Sequence, residues 1–154
     1  MRRIGIRFLT TIAAIIAVLA ATMSVASAQT SRIDVTFDES LPISGPGVLA
    51  DGSIPGCDAP STTTGAVSVS TFGSLTTFSG TKTISCSDGS TLDLAFFAAV
   101  RGCAASNRGV WVVTGGSGSF SGATGFGRLI GTYPNGDSCT ATSVLDRYVG
   151  RIRI

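Results

Sequence analysis

No histidine occurs among the 154 residues, which removes the Ser-His-Asp triad, the Cys-His pair and every histidine-ligated metal site. Charge is also scarce: 11 basic and 9 acidic residues make up 13% of the chain. Without clustered Lys and Arg to neutralise phosphates, nucleic acid is not an expected partner. No acidic tail is present either. Cys-x-x-Cys pairs are missing, since Cys57, Cys86, Cys103 and Cys139 are separated by 29, 17 and 36 positions, so a thiolate metal centre is not expected. No stretch after residue 28 carries a 3.6-residue apolar stripe, so amphipathic helices are not expected, and no motif calls for a cofactor.

One long apolar run does occur, from Phe8 to Ala21, broken only by Thr10 and Thr11. Its 14 residues fall short of the roughly 20 needed to span a bilayer. Arg2, Arg3 and Arg7 precede or open it, and Ala26-Ser27-Ala28 supplies a small-x-small cleavage pattern. These features predict a secretory signal over residues 1–28, cut between Ala28 and Gln29, and a single extracellular domain over residues 29–154. No membrane span is expected in that mature part. Without Arg2, Arg3 and Arg7, eight basic residues face nine acids, a net charge of −1. All four cysteines follow the cut, and an even number in an exported chain points to two disulfides.

Gly, Ser and Thr account for 53 of the 126 residues after the cut, but the segments between turns alternate regularly between apolar and polar. That alternation predicts an all-β domain. Strands are expected over 32–37, 66–72, 75–86, 91–101, 109–114, about 123–133 and 138–154. Residues 38–65, rich in Pro, Gly and Thr, read as a long connection. A bulge is expected at Ser79-Gly80, and hairpin turns at Asp88-Gly89 and Asn135-Gly136. Tight turns between these seven or more successive strands imply an antiparallel up-and-down meander, closed into a barrel or folded into a sandwich.

Such a meander selects among the three possible cysteine pairings. Successive connections alternate between its two ends, which puts Cys57 with Cys86 at one end and Cys103 with Cys139 at the other. The alternative pairings would join opposite ends, and a seven-residue strand spans roughly 23 Å, far beyond a disulfide's reach.

The segment from Trp111 to Gly125 runs a hydrophobic strand into Thr114-Gly115-Gly116-Ser117-Gly118. A dinucleotide-binding loop would need Gly at position 121, where Ser stands, followed by a helix and a downstream acid. The glycines instead suit a tight hairpin, with Phe120 plugging a barrel end. The pattern Gly115-Gly116-Ser117-Gly118-x-Phe120-x-x-Ala123-x-Gly125 resembles the GGTGxFxxAxG stretch of dirigent proteins. The resemblance implies the eight-stranded antiparallel barrel, with an internal ligand cavity, that dirigents share with allene oxide cyclases. Ser117 replaces the usual Thr, and Thr124 the Arg that dirigents commonly carry. No dirigent catalytic residue has a motif-anchored counterpart here. Thr81 to Gly89, Trp111 to Gly131 and Asp146 to Arg151 also resemble, in order, a pattern of small secreted bacterial proteins of unassigned function.

Most of the nine acids fall in turns, where Asp caps the backbone. Asp93 and Asp146 lie within strands. Asp93 opposes Leu92 and Leu94 and is expected to face solvent. Asp146 shares its alternation face with Val144 and Tyr148, so Asp146 and Tyr148 are the candidate catalytic pair if that face lines a cavity. Arg147, Arg151 and Arg153 form a basic strip, read as edge-strand charges or as a contact for anionic lipid or wall polymer. Trp111 is expected to pack in the core or at its rim. Three functions follow: a barrel binding a small apolar ligand or extracellular molecule without catalysis, a dirigent- or cyclase-like isomerase, and a cell-surface interaction protein. A cavity around Asp146 and Tyr148 favours the second, and a barrel filled by Phe and Leu the third.

Overall fold

The computed structural model describes residues 29–42 and 46–154. The reading of residues 1–28 as a signal, including the Ala28/Gln29 cut, lies outside these described residues. Eight antiparallel strands follow one another in chain order and close into a barrel: β1 (Thr30–Ser40), β2 (Gly47–Ser53), β3 (Ser61–Phe72), β4 (Leu75–Ser85), β5 (Thr91–Arg101), β6 (Ser106–Ser117), β7 (Thr124–Thr132) and β8 (Ser143–Arg153). Pairing of β1 with β8 runs continuously from Thr30↔Arg153 to Ser40↔Ser143 and completes the ring. Among the described residues no helix is long and apolar enough to cross a membrane.

Closure follows from period-two patterning. Ile33, Val35 and Phe37 on β1, Leu92 and Leu94 on β5, and Tyr148 and Ile152 on β8 are wholly buried and meet in the lumen. Trp111 on β6 joins them, its Nε1 donating to the Arg128 carbonyl at 3.1 Å. Phe120, on a short 3₁₀ turn over Gly118–Phe120, is fully buried at the end where β6 passes to β7. Gly118 and Gly122 there take positive φ (57° and 75°), which glycine adopts without strain. Cys57 is joined to Cys86, Cα–Cα 5.1 Å, and Cys103 to Cys139, 5.2 Å, one pair at each end of the meander.

The structure differs from the sequence reading at four places. Residues 38–65 hold the end of β1, all of β2 and the start of β3. β2 was hidden because it is short and mostly exposed, and its most buried position is Gly47. The bulge in the β3–β4 hairpin falls at Gly65-Ala66 on β3, opposite Thr81, and not at Ser79-Gly80. Asn135-Gly136 does not form a two-residue hairpin. The Asp137 carboxylate accepts from Cys139 N (3.0 Å), Thr140 N (3.1 Å) and Thr140 Oγ1 (3.0 Å), which builds a longer loop that carries Cys139 and delays β8 to Ser143. Finally, β8 is flanked by β7 and β1, so its arginines do not guard a sheet edge.

Candidate functional site

Two places in the barrel carry chemistry. The first lies in the lumen. β8 turns Val144, Asp146 and Tyr148 inward, as their shared parity predicts, and all three are buried. They do not form an Asp–Tyr pair. The Tyr148 hydroxyl has no hydrogen-bond partner among the described residues, and its ring packs edge-on against Phe37 at 6.2 Å. Asp146 faces Lys82 from β4, with Oδ2 3.4 Å from Nζ. Lys82 in turn contacts Glu39 from β1, and Thr62 and Thr64 on β3 donate to the Glu39 carboxylate at 2.9 and 3.5 Å. Lys82 and Glu39 are each 1% exposed.

Gly47 makes this crossing possible. A Cβ there would lie 2.7 Å from Glu39 Cγ and collide with the Thr62 hydroxyl, so only glycine lets Glu39 pass over β2. Burial pushes the Asp146 carboxyl above its usual range; Lys82 opposes this and Glu39 adds to it. Burial likewise raises the Tyr148 phenol well above its usual value, with the Asp146 and Glu39 charges reinforcing the shift. Lys82 and Glu39 were missed in the sequence reading. Glu39 falls within the connection expected over 38–65, yet it continues the inward parity of Ile33, Val35 and Phe37, as Lys82 does that of Ile84.

A cavity of about 70 Å³ adjoins Asp146, walled by Phe78, Phe96, Leu129 and Val144 with Asn107 and Tyr133. Asn107 Nδ2 donates to the Tyr133 hydroxyl at 2.8 Å, and Gly131 N donates to Asn107 Oδ1 at 3.1 Å. This space is well below the roughly 300 Å³ of ordinary ligand pockets.

The second place is the outer face of β5 to β8. Phe126 (75% exposed), Val110, Phe97 and Val112 adjoin one another there through the pairs Phe97↔Val110 and Val112↔Phe126. Two shallow grooves of about 880 and 420 Å³ share Val110, Phe126 and Gly127. Arg32, Arg128, Arg151 and Arg153 surround the larger. Arg147 is occupied elsewhere, gripping Asp34 through Nε at 2.7 Å and Nη2 at 2.8 Å. That grip holds the Asp34 carboxyl below its usual range. Arg128, Arg151 and Arg153 form no ion pair among the described residues. Asp93 points outward and accepts from Thr83 Oγ1 at 2.7 Å.

The grouping of Cys103, Asp137 and Cys139 offers no thiolate, because the two sulfurs are bonded to each other. Fold and sites together define a small disulfide-bonded antiparallel barrel with a charged cluster sealed in its lumen. Comparison with protein-family models, with curated proteins and with solved structures finds no match to this chain.

Proposed function

We propose that the protein is an exported, non-catalytic binding module that engages an anionic lipid surface through the outer face of β5 to β8. The observation that carries this reading is Phe126, 75% exposed and shared by two adjoining grooves, one lined by Phe97, Val110 and Val112 and the larger lined by four arginines. Contiguous exposed apolar surface beside Arg128, Arg151 and Arg153, which form no ion pair among the described residues, suits a partner offering both hydrocarbon and negative charge. Guanidinium groups at the rim reach headgroups while Phe126 enters the acyl boundary. A lumen filled by Phe37, Leu92, Leu94, Trp111 and Tyr148 supports the isomerase reading less well, because about 70 Å³ leaves no room for a substrate.

Co-sedimentation with phosphatidylglycerol vesicles tests the proposal, with phosphatidylcholine vesicles as the neutral control. Binding to the anionic vesicles only is expected, weakening as salt rises. The double variant Phe126→Ser, Arg151→Glu should fold normally, since both side chains face outward, and lose that binding at least tenfold. Absence of binding, or binding that the double variant keeps, overturns the reading.

A further inference from the structure

The lumen cluster points to a covalent modification that is independent of the outer face. Lys82 is the only lysine and Glu39 the only glutamate in the 154-residue sequence, and the fold buries both against each other and against Asp146. Every other basic residue is an arginine. A guanidinium carries fixed charge in a broad fork, whereas an ε-amine can lose its proton and act as a nucleophile when buried. An ammonium and two carboxylates taken out of water also carry a large desolvation cost that ion pairing offsets only in part.

We infer that Lys82 Nζ and the Asp146 side-chain carboxyl condense to an intramolecular amide after folding, with Glu39 relaying the proton. Nζ stands 3.4 Å from Asp146 Oδ2, which sets the amine beside the carboxyl whose Cγ it attacks. Glu39 contacts the same nitrogen and is held in place by the Thr62 and Thr64 hydroxyls. In the step, the Glu39 carboxylate takes a proton from the Lys82 ammonium. The free amine then attacks Cγ of the protonated Asp146 carboxyl. A C–N bond forms and the C–OH bond breaks as Glu39 returns its proton to the departing hydroxyl; Glu39 then takes the second proton from the nitrogen and ends as the neutral acid beside the amide. One water leaves, no electron changes hands, and no co-reactant is required.

Local features favour each part. Burial raises Asp146 and so favours the neutral acid that attack requires. The rings of Phe96 and Tyr148, 5.8 and 5.4 Å from Nζ, keep bulk water away from the reacting atoms. The cavity that Asp146 lines has room for the expelled water. The product replaces an ion pair by a neutral amide and straps β4 to β8 through the centre of the barrel.

Intact mass of the denatured, unreduced full-length product tests the inference. The protein should be lighter by one water than its sequence with two disulfides. Acetylation after denaturation should leave Lys82 unmodified, and proteolysis should release a branched peptide joining Lys82 to Asp146. Glu39→Gln should restore the missing water while keeping both disulfides and the β-sheet circular dichroism. Full mass with an acetylated Lys82 in the wild type overturns the inference and does not depend on any variant folding. An aspartimide at Asp51-Gly52 or Asp88-Gly89 gives the same mass deficit but leaves Lys82 reactive, and that result also overturns it. A branched peptide joining Lys82 to Glu39 overturns the assigned roles of the two acids.

Discussion

Trp111 owes its burial to two residues that have no side chain. Gly127 and Gly150 pair across β7 and β8 beneath the indole, and a Cβ at either would stand 2.6 or 2.5 Å from its ring carbons. Each would also collide with a backbone carbonyl, that of Val149 or of Phe126, which cannot swing aside. Gly127→Ala should therefore destabilise by about 3 kcal/mol, the upper end of core overpacking. A lower urea midpoint would register the loss, together with a red-shifted emission from the chain's single tryptophan as the indole meets water. Within the lumen, Asp146 and Tyr148 were legible because they share parity with Val144 and Ile152, all four of them buried. Glu39 and Lys82 obey the same parity, but the expectation that charges face water concealed them. That expectation fails where opposite charges and hydroxyls compensate one another in a closed space.

β2 is the least secured element of the ring. It meets β3 at only two register positions, Gly47↔Thr62 and Val48↔Ser61, whereas β1 pairs with β8 along its full length. Local opening costs least where few backbone bonds and little apolar burial must be given up. Amide hydrogen exchange should find β2 the fastest-exchanging strand, by about a hundredfold or more over β5, whose Leu92 and Leu94 are fully buried. Protection of β2 equal to that of β5 would show that the ring opens only as a whole. The same weakness explains why β2 could not be read from the sequence: Gly47-Val48-Leu49-Ala50 buries only its glycine, so no apolar face announces a strand. β5 stood at the opposite extreme. Its continuous apolar face gave the bounds 91–101, and the structure has β5 at Thr91–Arg101. Loops were legible only where one residue pair dictates the turn. Asp88-Gly89 made its turn, with Gly89 at φ 83°, while Asp137 captured three donors downstream and displaced the hairpin expected at Asn135-Gly136.

At the scale of the molecule, the two disulfides secure opposite ends of a ring whose weakest seam lies between β2 and β3. Cys57–Cys86 closes a separation of 29 residues and Cys103–Cys139 one of 36, so chain entropy assigns each about 3 to 4 kcal/mol. Their surroundings distinguish them. Cys103 and Cys139 sit on loops already tied by Tyr133 N to Ala105 O, Ser138 N to Ala104 O and Ser138 Oγ to Gly102 O. Cys57 lies on the β2–β3 connection, where the ladder is thin; the isolated bridge Ile54↔Cys57 and the bond from Ser87 N to Asp58 O support it. Replacing either pair by serine should lower global stability by a similar amount in urea unfolding. Only the Cys57→Ser, Cys86→Ser variant should also open the seam, raising exchange at β2 and at the first residues of β3 well before global unfolding. The other pair should leave those amides at wild-type rates, because its loops lie at the far end of the barrel. If both variants accelerate β2 equally, the barrel transmits strain along its whole length, and the seam between β2 and β3 is no separate unit of opening.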